Sequence, residues 1–269
     1  MPELPDLEAI KDFLNQKVAG LTIESTSVIN VIPIRRPGAS EFAATLTGNV
    51  LTDAQRRGKF LLLKMKSGHT LAINAMLTGR LQYAAQGAKQ KAKTCFVLRL
   101  EDGNELRYFD SKLMGKVYLV PEGGLNDIPG FEIMGPDVTD EAISLDEFQS
   151  RLRRHTGQIK NILVNARFMA GIGNAYADEV LFHAGIYPYR RRSALNQQEI
   201  ERLHVAISEV LKKGREEVSA RMGEAIHVRI RDFLKVHGKG GQPCPACGHT
   251  ISQITANQRL TNFCRQCQK

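Results

Sequence analysis

Four cysteines govern what the end of this chain can fold into: Cys244-Pro-Ala-Cys247, sixteen intervening residues, then Cys264-Arg-Gln-Cys267. So short a tail has too little apolar surface to fold unaided. Two C-x-x-C pairs at this separation supply four thiolates for one tetrahedral Zn²⁺. Two disulfides are the alternative, and a reducing compartment disfavours them. The sequence has no basic flank followed by an apolar leader and no apolar run near the roughly 18 residues of a membrane span, so a cytosolic protein is expected. Four Cys ligands leave no open coordination position, so the zinc is expected to be structural, and His249 needs no ligand role. Thiolates and metal together carry about −2 by charge counting, which nearby basic residues must outweigh if the tail is to attract an anion.

Those basic residues are present. The 269 residues carry a net charge of +9, and residues 189–269 hold 15 Lys and Arg against 7 Asp and Glu, so this segment alone contributes +8. A basic C-terminal third joined to a neutral remainder fits a polyanionic partner, because Lys and Arg that neutralise phosphates release condensed counterions. A hydrophobic content of 42% suits one to three domains with a sizeable core.

Three regimes follow along the chain. Leu7, Ile10, Phe13, Leu14 and Val18 fall near helical spacing, and Gly20 closes that helix. Residues 21–120 read mainly as strands, at Thr22–Ile29, Lys59–Met65, Thr70–Asn74, Thr94–Leu100, Glu105–Phe109 and Lys116–Val120, with turn signals at Ser67-Gly68 and Asp102-Gly103. The pattern predicts an antiparallel sandwich or barrel with one helix. Pro121 to Asp140, rich in Gly, Pro and Asp, reads as a linker. Helical spacing returns at Phe148 and Leu152, Ile159 to Val164, Ala175 to His183 and Ile200 to Leu211. The expected division is 1–130, 131–238 and 239–269.

Two short stretches carry chemistry. The chain opens Met1-Pro2-Glu3-Leu4-Pro5, and methionine before a small residue is ordinarily trimmed, so Pro2 would become an N-terminal secondary amine beside a carboxylate. From these residues alone, stiffening of a helix entry, with Glu3 facing solvent, is the simpler explanation of the prolines. In Ala170-Gly171-Ile172-Gly173-Asn174-Ala175, two glycines before a helix let backbone N–H groups approach an anion. It is no dinucleotide fingerprint, since no strand precedes it and no third glycine follows, and a tight helix–helix turn has the same appearance.

Taken together, these motifs resemble the formamidopyrimidine-DNA glycosylase/endonuclease VIII family of bifunctional DNA glycosylase/AP lyases. The resemblance rests on Pro2-Glu3-Leu4-Pro5, on Arg56-Arg57-Gly58-Lys59, on Gly171-Ile172-Gly173-Asn174 with Ala177-Asp178-Glu179 behind it, and on Asn257-Gln258-Arg259 within a zinc hairpin ending Cys267-Gln268-Lys269. It implies an α+β multidomain protein with an N-terminal β-sandwich carrying one helix, a helix–two-turns–helix domain and a C-terminal β-hairpin zinc finger. Double-stranded DNA containing damaged bases or abasic sites would bind across the cleft of a monomer. Pro2 would be the nucleophile that forms a Schiff base at C1′, Glu3 the general acid/base, and Lys59 a cation holding phosphate near the lesion. Asn174 and Arg259 would grip flanking phosphates, and Met76 would fill the gap left by a flipped nucleotide.

This chain departs from the family in the parts that read the lesion. Where formamidopyrimidine-DNA glycosylases carry Arg-Arg-Phe-Gly it reads Lys112-Leu113-Met114-Gly115, replacing a planar two-point reader with a lysine and an aromatic wedge with a thioether. Between Arg231-Asp232-Phe233 and the zinc tail there is no room for the loop that covers a flipped purine. Asp6 stands where glutamate is usual, and Asn74 near a usual histidine. Two readings follow: a glycosylase and β,δ-lyase acting on oxidised pyrimidines, ring-opened purines, hydantoins or abasic sites, or a non-catalytic DNA-binding paralogue. Pro2, Glu3 and Lys59 together favour the first, since binding alone needs none of them.

Overall fold

Pro5 in the first turn and Asp6 three residues after Glu3 start the first helix, α1 (Leu4–Lys17). Glu3 is its N-cap, and the Glu3 backbone N–H donates to Asp6 Oδ2 at 2.7 Å, so the shorter aspartate closes the cap. Leu4, Leu7, Ile10 and Leu14 form its buried stripe. The computed structural model describes residues 1–139, 143–256 and 259–269. The chain divides into two units, one of Met1–Glu132 with Val218–Ile230 and one of Ile133–Glu217 with Arg231–Lys269.

In the first unit, β1 (Ile23–Val28), β7 (Thr94–Leu100), β8 (Asn104–Asp110) and β6 (Gly79–Ala85) form one sheet in the order β1-β7-β8-β6. The second sheet runs β2 (Ile34–Arg36), β9 (Lys116–Val120), β5 (Thr70–Asn74), β4 (Phe60–Met65), β3 (Leu51–Arg57). All pairings are antiparallel except β2 with β9. The continuous apolar run Phe60-Leu-Leu-Leu sits on a central strand buried on both faces, as such runs do. The sandwich carries a second helix, α2 (Ala39–Leu46), which the eight-residue segment is too short to reveal by periodicity. Its Phe42 meets Phe96 of β7 edge to face, with centroids 5.3 Å apart.

The second unit is helical: α3 (Leu145–Arg153), α4 (Ile159–Leu163), α5 (Asn174–Ala184) and most of α6 (Gln197–Met222), followed by the hairpin β10 (Ser252–Ala256) and β11 (Arg259–Phe263). Ser144 caps α3 by accepting from the Glu147 N–H, and Gly185, in the left-handed region at φ 70°, ends α5. The last residues of α6 and the segment to Ile230 belong to the first unit. The break between residues 132 and 133 falls inside the Gly/Pro-rich stretch read as a linker, whose last residue, Asp140, lies outside the described residues.

Gly79 and Gly115 both lie against the Tyr108 hydroxyl, so closely that a methyl group on either would overlap it. Tyr108 is fully buried and has nowhere to move. Gly115→Ala is therefore expected to cost roughly 1–3 kcal/mol of stability by overpacking, and Tyr108→Phe in the same chain should return part of it by removing the oxygen. Urea unfolding of the two single variants and the double variant measures this coupling; strictly additive losses would mean the hydroxyl is not the obstacle.

Candidate functional site

In the first unit the residues singled out by sequence gather on three turns and the N-terminus. Pro2 and Glu3 are buried at the head of α1, and Pro2 lines a small apolar cavity with Ala75, Arg80 and Tyr108. The Met1 amine donates to the Leu77 carbonyl at 3.0 Å, which places the first residues beside the Met76 turn. Lys59 stands on the β3–β4 hairpin. Arg57 pairs with Phe60, so Gly58-Lys59 is a two-residue turn, and Gly58 supplies the positive φ (57°) that such turns need. That turn is tied to α1 by Arg56, whose guanidinium, essentially unexposed, reaches Glu8 Oε1 at 2.5 Å and the Gly58 carbonyl at 2.9 Å. Burial pushes the Glu8 carboxyl up, but hydrogen bonds from Lys11 and Arg56 outweigh it and hold the carboxyl below its usual range.

The two turns that carry the wedge candidates are locked together by Asp110, which has no exposed surface. Its carboxylate accepts from the Thr78 hydroxyl, from the Lys112 N–H at 3.2 Å and from the Gly115 N–H at 2.6 Å. The first bond joins the Met76 turn to the Lys112–Met114 turn. Asn74 Oδ1 accepts from the Met76 N–H at 3.1 Å, so the residue standing near the family's histidine shapes the same turn. Met76 and Leu113 sit at φ 46° and 54°, conformations uncommon for non-glycine residues. Lys112 and Met114 are exposed, as is Leu77. Among the described residues Lys112 has no ion-pair partner.

In the second unit, Asn174 opens α5 and its Nδ2 donates to the Leu260 carbonyl of β11 at 2.7 Å, and among the described residues its other amide hydrogen has no partner. Lys160 Nζ donates to the same carbonyl at 3.1 Å and to Thr261 Oγ1 at 2.7 Å, and it pairs with Asp178 Oδ1 at 2.6 Å. Asp178 Oδ2 takes the Asn262 N–H and meets His237 Nδ1 at 2.7 Å. Glu179 accepts the backbone N–H groups of Lys235, Val236 and His237, each at 2.8 Å. Arg259 is exposed at the hairpin tip, and its motif neighbours Asn257 and Gln258 lie outside the described residues.

The ligand atoms of Cys244, Cys247, Cys264 and Cys267 all lie within 4.8 Å of one another. Cys244 and Cys267 sulfurs are 3.8 Å apart and those of Cys247 and Cys264 3.5 Å, far beyond a disulfide and near the edge of a tetrahedron with Zn–S bonds of about 2.3 Å. The donor set fits Zn²⁺ with no place for a fifth ligand. Phe182, Val236 and Ile251 pack around it, and Gln268 stitches the tail down by accepting from the Cys264 N–H and donating to the Ile186 carbonyl, both at 2.9 Å.

Three family models match in order: the Formamidopyrimidine-DNA glycosylase N-terminal domain over residues 1–117, the Formamidopyrimidine-DNA glycosylase H2TH domain over 134–224, and a zinc finger found in FPG and IleRS over 241–269. The chain is 34% identical over 274 residues to the formamidopyrimidine-DNA glycosylase of Pelotomaculum thermopropionicum, covering all of this chain and 99% of that one. It is 37% identical over 279 residues to that of Desulfitobacterium hafniense, covering all of both. It belongs to the formamidopyrimidine-DNA glycosylase family. Among solved structures, Lactococcus lactis Fpg in complex with abasic-site DNA superposes with a TM-score of 0.91 at 27% identity over the whole of both chains. The same protein with Fapy-dG-containing DNA gives 0.90 at 27%.

The α+β architecture expected from the resemblance is therefore present, with an N-terminal β-rich region, an H2TH region and a C-terminal hairpin, and the protein carries one structural zinc. No helix among the described residues is long and apolar enough to cross a membrane. Sequence reasoning assigned no individual role to Glu8, Arg56, Thr78, Asp110 or Lys160. A usable signal existed for Lys160 through its partner Asp178. Asp178 and Glu179 interrupt the apolar run Ala175 to Phe182, and charges inside such a run mark a paired, buried network.

Two outcomes are expected. Cys264→Ser should lower bound zinc from one per chain and expose the hairpin backbone to hydrogen exchange, while unchanged metal content would remove Cys264 from the ligand set. Glu8→Gln should destabilise the protein near neutral pH. Because the folded Glu8 carboxyl is held below its unfolded value of about 4.3, its contribution is present above that value and fades as pH falls through the folded pKa. Unfolding curves of both proteins should converge in acid; a pH-independent difference would show that Glu8 acts by packing.

Proposed function

We propose that base excision and strand cleavage in this chain run through Pro2 and Glu3, supported by Lys59. The chain is a base-excision repair enzyme, a DNA glycosylase with abasic-site lyase activity. The observation that carries the residue assignment is the turn-and-helix frame that holds a buried Pro2 and Glu3 at the head of α1, with the Lys59 turn fastened to the same helix through Arg56 and Glu8. Once Met1 is removed, Pro2 offers a secondary amine, and an α-amino pKa near 8 leaves a useful fraction neutral at pH 7. That nitrogen attacks C1′, the bond from C1′ to the damaged base breaks, and the base departs with a proton. Glu3 protonates the sugar ring oxygen as the ring opens, giving an iminium ion between Pro2 and C1′. The iminium acidifies the C2′ proton, whose loss expels the 3′ phosphate by β-elimination; δ-elimination then releases the 5′ phosphate, and water returns the free amine.

On the same reading, residues 1–130 supply catalysis, 131–238 the helical grip and 239–269 the zinc hairpin, in a monomer working in the bacterial cytosol and nucleoid. Asn174, through its other amide hydrogen, and Arg259 hold phosphates flanking the lesion. Met76 and Met114 fill the space left by the flipped nucleotide, and Lys112 faces the orphaned base. Double-stranded DNA containing a damaged base or abasic site is the substrate.

The preferred lesion follows from what the chain lacks. From Asp232 to Lys239 the backbone is taken up by Glu179, which holds three consecutive N–H groups, and by Lys239 Nζ, which donates to the Asp232 carbonyl at 3.1 Å. Nothing is left over to cover a flipped purine. With lysine at 112, an opposite cytosine also loses two-point readout, worth about 1–3 kcal/mol or roughly 5- to 150-fold. Ring-opened, pyrimidine-derived and abasic lesions are therefore favoured over 8-oxoguanine, with little dependence on the opposite base.

Two measurements test this. Incubation with abasic-site DNA and borohydride should give a covalent adduct that Pro2→Gly diminishes strongly; no adduct from the wild-type chain would favour the non-catalytic reading. Single-turnover rates on a duplex panel should show slow release of 8-oxoguanine opposite cytosine and a much larger loss of base excision than of abasic-site cleavage in Glu3→Gln. Fast 8-oxoguanine release with a strong cytosine preference, or an equal fall of both steps, would contradict the assignments.

A further inference from the structure

We infer that the groove between α5, α6 and the segment 233–235 is a binding site for a small aromatic acid, a body of one or two rings carrying a carboxylate. The site is separate from base excision, and the catalytic assignments do not call for it.

The residues lining the groove all belong to the second unit. On α5, Glu179 follows Tyr176 by three residues and His183 follows Glu179 by four; on α6, Lys213 and Gly214 follow Val210 by three and four. Each helix therefore turns one face to the groove. Gly214 lets the two helices meet, since a Cβ there would fall 2.5 Å from the Tyr176 ring. That ring is buried and lies under the Arg231 guanidinium, 5.0 Å from its centroid, so it is held in place as a floor. Phe233 and Leu234 close the third side. The cavity has a volume of about 270 Å³ and a mainly apolar lining. Pockets for drug-sized ligands run from roughly 300 to 1,000 Å³, so this one takes a body of one or two rings. With Tyr176 and Phe233 in its walls, a flat aromatic body finds edge-to-face or offset partners.

The charges around the groove select an anion. Glu179 already accepts three backbone N–H groups, from Lys235, Val236 and His237. Glu209 Oε2 meets His183 Nε2 at 2.8 Å, tying α6 to α5. Both acids are thus engaged. Lys213 and Lys235 are exposed beside the groove, and neither has an ion-pair partner among the described residues. An acid group at the mouth would face two ammonium groups while its ring stayed against the apolar walls. Helices that cross over a tyrosine leave grooves as a matter of packing, and lysines are common on a basic chain. Packing alone does not account for the sorting of the charges, with the acids tied up and the cations left open. The position of the groove also gives it a consequence. Val236, the next residue, packs around the zinc cysteines, so a ligand here bears directly on the segment from which the hairpin hangs.

The test uses the full zinc-loaded chain and three probes of one shape: 2-naphthoate, neutral 2-naphthol and cationic 2-naphthylmethylamine. Each is titrated while backbone amide resonances are followed by NMR. The wild-type chain should bind 2-naphthoate saturably, with shifts centred on residues 210–214 and 233–235, and the amine more weakly. K213Q/K235Q should weaken 2-naphthoate by roughly tenfold, the scale of two partly exposed ion pairs, and leave 2-naphthol within about twofold. Val210→Trp, which fills the groove, should abolish binding of both. Absence of saturation at millimolar 2-naphthoate would overturn the inference, as would tighter binding of the amine or an unchanged 2-naphthoate affinity in K213Q/K235Q. Shifts centred on Asn174 and Arg259 would overturn it too, because the acid would then be occupying the phosphate grip.

Discussion

Asp110 is the residue on which the working edge of the first unit depends. A carboxylate with no exposed surface is tolerable only if donors surround it, and the Thr78 hydroxyl and the N–H groups of Lys112 and Gly115 meet that need. The same bonds decide where Met76, Lys112 and Met114 stand. With its own N–H on the Lys93 carbonyl, Asp110 joins three strained segments into one piece. Gly79 and Gly115 are required because Tyr108 occupies the space beside them. A duplex meeting this edge would find a surface whose conformational entropy has already been spent.

The second unit solves a comparable problem with charge. The Lys160–Asp178 pair is almost wholly removed from solvent, with side chains 4% and 0% exposed. Desolvating two ions costs several kcal/mol each, so such a pair is poor evidence for stability and better read as a device that fixes geometry. Here it fixes β11, since Lys160 and Asp178 between them hold Leu260, Thr261 and Asn262. Arg259 is the neighbouring residue. Zinc sets the fold of the hairpin, and this network sets where that hairpin leaves α5.

How much of this was legible in the sequence depended on whether the signal was local. Cys244, Cys247, Cys264 and Cys267 state their purpose by spacing alone, and the helix after Gly173 and the strands at 70–74, 94–100 and 116–120 follow from periodicity. Strand β3 was missed because its sequence, Leu-Thr-Asp-Ala-Gln-Arg-Arg, is polar at most positions. Its partner β4 and the helix α1 supply the burial, which no local window contains. Strand β2 has three residues and pairs in parallel against an otherwise antiparallel pattern. Asp110 and Lys160 went unassigned for a further reason: a charged residue reads as surface until its partners, distant in sequence, are known. The catalytic motif itself was suggestive only through family resemblance, because Pro2 and Pro5 are more simply read as a helix start.

The central claim is that the N-terminal amine, and no lysine, bonds to the sugar. The most direct measurement is to trap the wild-type chain on abasic-site DNA with borohydride, digest the adduct with protease and nuclease, and locate the sugar remnant by tandem mass spectrometry. The account predicts a chain lacking Met1 with the remnant on the Pro2 nitrogen. A remnant on Lys59, or on any other lysine, with Pro2 unmodified would contradict it.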